Sequence, residues 1–488
     1  MKQTIKQILV LALALVASLS MVRAEVGLAD IFGSNMVLQR ESNVRIWGKS
    51  DTAKSNIKVT TSWDKKAYST VADSEGRWEV EVVTPEAGGP YTVVVEEKKG
   101  ERVVLDNVLI GEVWICSGQS NMEMPMKGFP FQPTEGSTEV IMTAGESTPI
   151  RMCTVTRQAV AEPTEECELT WQTNNPDAGA ATSATAYFFA KRLQEVLDIP
   201  VGIVVTCWGG TRVEAWMNRE ALEGFEGIKY ELLNTISTAK RPHDAPTSLY
   251  NGMINPIKGF AARGFLWYQG EANRRQPVQY RELMKSFVAM LRKDWNATAE
   301  QMPFYYVQIA PYIYAGADLA DSAFLREAQL YGLKDIPNSN MAVTLDVGDA
   351  TCIHPAKKQQ VGDRLAWLAL HDTFGYKAVD ATTPTVKSTK VEGKTIQLFF
   401  NSDKLSINPL TPQLAGFYIA GADKVFYPAK AKIFRNGRYV EVSAPEVESP
   451  VAVRYAFKNV PEWSLYNAAG MPVSSFRTDD WTDATYKE

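Results

Sequence analysis

The sequence predicts an α/β protein with a mostly parallel sheet covered on both faces, flanked by all-β segments at either end. Three observations carry this. Between residues 106 and 384, short apolar runs alternate with amphipathic stretches at helical spacing, the pattern of strand–helix units. Residues 25–105 and 385–488 instead show period-2 alternation broken by Gly-containing turns. At 488 residues the chain is too long for one core, so about three units are expected.

Residues 1–24 stand apart. Lys2 and Lys6 precede an apolar run, Ile8 to Val22, and Val22-Arg23-Ala24 supplies a peptidase site, so this stretch reads as a secretory signal peptide. Its export would end in the periplasm or the medium. Residues 25–105 read as a small β-sandwich. Val44 and Ile46 alternate before Trp47-Gly48, and Trp78, Val80 and Val82 follow the turn Asp73-Ser74-Glu75-Gly76. The central strands expected are Val108–Cys116, Ile150–Val155, Val201–Thr206, Gly264–Tyr268, Phe304–Ile309 and Met341–Leu345. Helices are expected over Ala184–Leu197, Tyr280–Trp295 and Lys358–Leu370. In the last segment Phe434-Arg435-Asn436-Gly437-Arg438-Tyr439 signals a hairpin, because Asn-Gly suits a type I′ turn.

Composition narrows the function. Loss of the signal peptide removes Lys2, Lys6 and Arg23, taking the formal charge from −5 to about −8. A mildly acidic chain with no basic run has no footprint for nucleic acid, and no second apolar stretch is long enough to span a bilayer. There is no P-loop, GxGxxG after a strand, HExxH or EF-hand loop, and no Cys/His cluster of metal-ligand spacing. A cofactor-free enzyme fits what is left. Of the five cysteines, Cys153 and Cys167 are near enough in sequence to close a small loop if oxidised.

The chemistry-bearing residues fall at the carboxyl ends of expected strands, the edge where open α/β sheets hold ligands. Ser117-Gly118-Gln119-Ser120-Asn121 ends the first strand and delivers Ser120 to a helix start, where backbone N–H groups favour developing negative charge. Ser is also a favoured helix cap, which is the structural alternative. The chain has three histidines, and His354, in a loop leaving the last strand, falls on the same edge as Ser120. Trp208-Gly209-Gly210-Thr211 and Tyr268-Gln269-Gly270-Glu271 follow two further strands. The glycine turn offers backbone N–H groups and Gln269 an amide, either as oxyanion donors or as ordinary turn residues. Met122 stands where the α/β-hydrolase elbow needs Gly.

Taken together, Gly118-Gln119-Ser120-Asn121-Met122, Trp208-Gly209-Gly210-Thr211, Trp267-Tyr268-Gln269-Gly270-Glu271 and Ile353-His354-Pro355 resemble the sialate O-acetylesterase family of the SGNH (GDSL-like) hydrolase superfamily. The likeness extends to Phe32 through Gln39 and to Pro472 through Asp479. The resemblance implies a three-layer, flavodoxin-like SGNH-hydrolase domain at 106–384. It implies Ser120 as nucleophile and His354 as base. It also implies an oxyanion hole from the Ser120 N–H, Gly209 or Gly210 and the Gln269 side chain, with Trp208 and Glu271 near the substrate. The family places an Asp two or three residues before the His; here Cys352 and Thr351 stand there, so Asp349 becomes the candidate acid. The implied reaction is removal of O-acetyl groups from sialic acids. Acetylated xylan or xyloglucan is the alternative substrate, and a decayed carbohydrate-binding protein the alternative role.

Overall fold

A computed structural model describes residues 26–97, 102–378, 380–402, 404–407 and 413–487; the expected signal peptide lies outside them. One strand organises the rest. Strand β1, Arg102–Gly118, is 17 residues long and completely buried from Val108 onward. Its first half pairs antiparallel with Gly88–Glu97 of the N-terminal β segment. Its second half lies in the middle of a parallel sheet. The boundary expected at 105/106 therefore falls inside a strand.

The other strands of that sheet are β2 (Ile150–Thr154), β3 (Gln172–Thr173), β4 (Val201–Cys207), β5 (Gly264–Tyr268), β6 (Phe304–Val307) and β7 (Ser339–Ala342). Their order is β3-β2-β4-β1-β5-β6-β7, with only the β3 pairing antiparallel. Both faces are covered, so β4 and β5 are continuous apolar runs, not alternating ones. The four-residue α1 (Ser120–Glu123) follows β1. On one face, α2 (Ala184–Leu197) packs with a long C-terminal helix, Lys358–Asp372, over Trp114 and Cys116. On the other, α3 (Pro277–Asp294) and α4 (Asp321–Asp335) cover Val113, Ile115, Phe265 and Trp267. The Lys358–Asp372 helix is α5.

Two expectations need correction. Helix α4 has no counterpart in the sequence reading, because the residues it buries include Ser322, Arg326, Glu327 and Gln329. The hairpin near Asn436 forms between Lys430–Phe434 and Tyr439–Ser443, but with four loop residues in place of a two-residue turn. Arg435, Asn436 and Gly437 all take positive φ there. Cys153 and Cys167 are both free and buried. Among the described residues no helix is long and apolar enough to cross a membrane.

Polar contacts lock the β segments to the centre. Glu112, on β1, is fully buried and accepts from Gln39 Nε2 at 3.1 Å, Arg40 Nε at 2.6 Å and Arg263 Nε at 2.8 Å. At the other end Arg477 pairs with Glu327 of α4 at 2.7 Å, and Arg454 with Asp479 at 2.7 Å. Removing Glu112 leaves two partly exposed guanidiniums and the Gln39 amide without their shared acceptor. Glu112→Ala should therefore lower unfolding free energy by about 3–5 kcal/mol. A denaturant midpoint that barely moves would mean that Arg40 and Arg263 find water or other partners.

Candidate active site

β1 ends by pressing its backbone onto β5. Gly118 has φ +144°, and a Cβ there would lie 2.2 Å from the carbonyl oxygen of Tyr268, so no side chain fits. The next residue, Gln119, occupies the helix cap position without a side-chain cap bond, and its N–H donates to Tyr268 O at 3.0 Å. Ser120 is thus the first residue of α1 and not its cap. It is half-buried, and its Oγ makes no hydrogen bond among the described residues.

Asn121 joins the blocks that sequence alone leaves far apart. Its Nδ2 donates to Glu271 Oε1 at 2.7 Å and to the Ile353 carbonyl at 3.0 Å, while its Oδ1 accepts from Lys358 Nζ at 2.5 Å. Neighbours of Ser120, Gly270 and His354 are thereby tied through one buried amide. Burial raises the Glu271 carboxyl pKa, opposed by its hydrogen bonds and by Lys358. Burial likewise pulls the Lys358 ammonium down to about 7, against the attraction of Glu271. Glu271 is thus buried behind Ser120, with its Oε1 taken by Asn121 and its Oε2 without a partner among the described residues.

His354 is half-buried. Its Nδ1 lies 2.6 Å from Gln132 Oε1, and the Phe129 ring meets the imidazole edge-on at 5.2 Å. Burial first, and the Lys358 charge second, depress its pKa to about 4. Nε2 has no hydrogen-bond partner among the described residues. Asp349 does not reach it: its Oδ1 accepts from Thr351 N and Oγ1, both at 2.7 Å, and from Cys352 N at 3.1 Å, closing its own turn. Those bonds hold the Asp349 carboxyl below its usual range. Asp346 is spent on Arg364 at 2.7 Å. The expectation of a carboxylate behind His354 is corrected to an amide oxygen from a loop 222 residues away.

The oxyanion expectation changes too. Gln269 is fully buried, and its amide N–H groups go to Thr211 O at 3.0 Å and Asn273 Oδ1 at 2.8 Å, so it aims no donor at Ser120. Gly209 lies against the nucleophile, where a Cβ would stand 3.2 Å from Ser120 Cβ. Its N–H, however, donates to Glu123 Oε2 at 2.8 Å. Gly210, with φ +74°, is exposed and its N–H is unengaged among the described residues. Trp208 is half-buried, with the Arg157 guanidinium 5.5 Å from its ring and the His243 ring at 4.8 Å. Sequence reasoning missed Asn121, Gln132 and Glu123. Asn121 sits inside the Ser120 block and Glu123 directly after it; Gln132 lies in a proline-rich loop with no chemical signature.

The family model for carbohydrate esterase, sialic acid-specific acetylesterase, matches residues 110–371, a span that takes in Ser120, Gly209, Gln269 and His354. The chain belongs to this family. Mouse sialate O-acetylesterase is 27% identical over 420 residues, covering 74% of this chain and 75% of the relative. The human enzyme is 29% identical over 393 residues, covering 72% and 71%. The crystal structure of a carbohydrate acetylesterase from Xanthomonas citri is 33% identical, with TM-score 0.85, covering 94% of this chain and all of that one. This carbohydrate acetylesterase is a carboxylic-ester hydrolase.

In this family member Asn121 bears the strain of two buried ionisable groups. Asn121→Ala would leave Glu271 and Lys358 without their bridge, costing roughly 3 kcal/mol. Thermal unfolding of the variant would show it; an unchanged Tm would mean that Glu271 and Lys358 close on each other directly.

Proposed function

We propose an exported O-acetylesterase that acts through Ser120, with His354 as general base and Gln132 in the place of the usual acid. The observation that carries this is the hydrogen bond between Gln132 Oε1 and His354 Nδ1. With the amide oxygen as acceptor, Nδ1 keeps its proton and Nε2 presents a lone pair, the tautomer a base needs. The Ser120 proton passes to Nε2 as Oγ bonds to the acetyl carbon, and the carbonyl π pair moves onto oxygen. Collapse returns the proton to the departing sugar oxygen as its bond to the acetyl carbon breaks. Water then repeats the sequence on the acyl-enzyme and releases acetate. We read the sheet and its helices as the SGNH arrangement, and residues 1–24 as the export signal.

O-acetylated sialic acid is the substrate favoured by the family match and by the mammalian relatives. A second reading, acetyl esters on a plant polysaccharide such as xylan or xyloglucan, uses the same machinery and falls within the broader description of the Xanthomonas citri structure as a carbohydrate acetylesterase. Acetate release from sialic acid, xylan, xyloglucan and an aryl acetate would separate the two.

Ser120→Ala should cut release by roughly a thousandfold or more from whichever substrate is turned over. Residual activity near wild type would remove Ser120 from the chemistry.

The base must be deprotonated to act, and its folded pKa is depressed to about 4, so kcat/KM should hold through neutral pH and fall only as the pH approaches about 4. Gln132→Glu pairs the imidazolium with a carboxylate, raises that pKa, and should move the acid limb to higher pH. Gln132→Met offers no strong acceptor and should lower kcat by roughly 100-fold or more. An acid limb that stays put in the Glu variant, with full activity in the Met variant, would take Gln132 out of the mechanism.

A further inference from the structure

The short helix that begins with Ser120 ends with Glu123, and the Glu123 carboxylate faces the glycine turn beside the nucleophile. Its Oε2 takes the Gly209 N–H at 2.8 Å. A Cβ on Gly209 would lie 3.0 Å from that oxygen and 3.2 Å from Ser120 Cβ, so the carboxylate and Ser120 flank the same turn. The arrangement is electrostatically awkward. When Ser120 attacks an ester, the former carbonyl oxygen gathers negative charge in the same small region, and a neighbouring carboxylate opposes it. A neutral side chain could tether Gly209 without that penalty.

Arg157 answers the difficulty. Its Nε donates to Glu123 Oε1 at 2.7 Å, and Nη2 makes a second contact with the same oxygen. Glu123 is only 14% exposed, whereas Arg157 is 51% exposed and lies over the Trp208 ring, one residue before the turn. The pair therefore brackets the turn, the buried carboxylate gripping Gly209 from one side and the guanidinium covering Trp208. With Gly209 committed to Glu123, the Ser120 and Gly210 N–H groups make no hydrogen bond among the described residues.

We propose that Arg157 is a positioning and charge-compensating residue for acyl transfer: it neutralises Glu123, which lets that carboxylate fix the glycine turn without repelling the oxyanion. The Ser120 and Gly210 N–H groups are then the oxyanion donors, and Gly209 is the anchor. This rests on the Ser120 hydrolase reading.

Removal of the compensation is a measurable insult. Arg157→Met leaves Glu123 charged beside the transition state and should lower kcat on an aryl acetate by roughly 10- to 100-fold, with KM changed less than about threefold. Arg157→Lys, which keeps the charge, should lose far less. The decisive variant is E123Q/R157M, in which an amide oxygen still accepts the Gly209 N–H and neither charge remains; it should recover most of the kcat lost in R157M. A purely structural ion pair would show its loss and its recovery in Tm and KM as well, because removing both charges also relieves the stranded carboxylate, whereas charge compensation moves kcat with Tm and KM little changed. If R157M does not fold, as judged by circular dichroism and Tm, R157Q and E123Q/R157Q take the same places. Full kcat in the single variant, or no recovery in the double, overturns the assignment while leaving Ser120-dependent turnover intact. A wild-type enzyme whose turnover survives Ser120→Ala sinks the hydrolase reading and this one with it, a distinct outcome.

Discussion

Asn121 is the contact on which the site depends. A buried ammonium and a buried carboxylate are costly unless each finds partners. Lys358 and Glu271 find the same partner, the two ends of one amide, with 2.5 Å to the oxygen and 2.7 Å to the nitrogen. The remaining Asn121 proton goes to the Ile353 carbonyl. Any displacement of the Ser120 helix relative to the His354 loop breaks at least one of these bonds and strands a charge. Ser120 and His354 are therefore held in register by an electrostatic constraint behind them and not by a hydrogen bond between them. That leaves both reactive atoms free for substrate.

The same cluster sets the basicity of His354. Lys358 lies close enough to disfavour the imidazolium, and Gln132 gives a neutral acceptor where a carboxylate would compensate. Lys358 is the charge felt at the imidazole, Asp349 on the same loop is turned to its own backbone and Asp346 to Arg364, and the ring's one hydrogen-bond partner among the described residues is Gln132. An imidazole without a carboxylate partner is a weaker base and its imidazolium a better acid; under the proposed mechanism this would trade ease of Ser120 deprotonation for ease of protonating the departing sugar oxygen. It also keeps the base unprotonated well into acid.

What the sequence discloses follows from what is local. Ser120 and His354 were legible as candidates because one follows the end of a buried strand and the other lies in the loop leaving the last strand of the sheet, and strand ends of a parallel sheet share one edge. Ala184–Leu197 was legible because its buried face is apolar, as α2 confirms. Gln269 was misread because its residue type suits an oxyanion donor, while its actual acceptors, Thr211 O and Asn273 Oδ1, come from elsewhere in the fold. Gln132 was invisible for the converse reason. It reaches His354 only because the 125–136 loop folds back, with Phe129 and Gln132 exchanging backbone hydrogen bonds and Glu135 N donating to Ala356 O at 2.9 Å. Nothing in the local pattern encodes that closure. The search for an acid near His354 in sequence found Asp349, which satisfies its own turn instead.

Helix α4 shows why periodicity fails where domains interlock. Arg326 is fully buried, yet it donates to Ser475 Oγ at 2.8 Å and to the Ala456 carbonyl at 3.4 Å, both in the C-terminal β segment. Glu327 on the same helix receives Arg477. Its inward face is polar because its partner is a β segment with hydroxyls, carbonyls and arginines, not another apolar helix. At the opposite end, Glu112 and the first half of β1 do the same for the N-terminal segment. The flanking β segments are therefore part of the structural support of the sheet that carries Ser120. Trimming either would expose buried charges on the catalytic unit itself, so a shortened chain is expected to lose the fold before it loses a separable binding function.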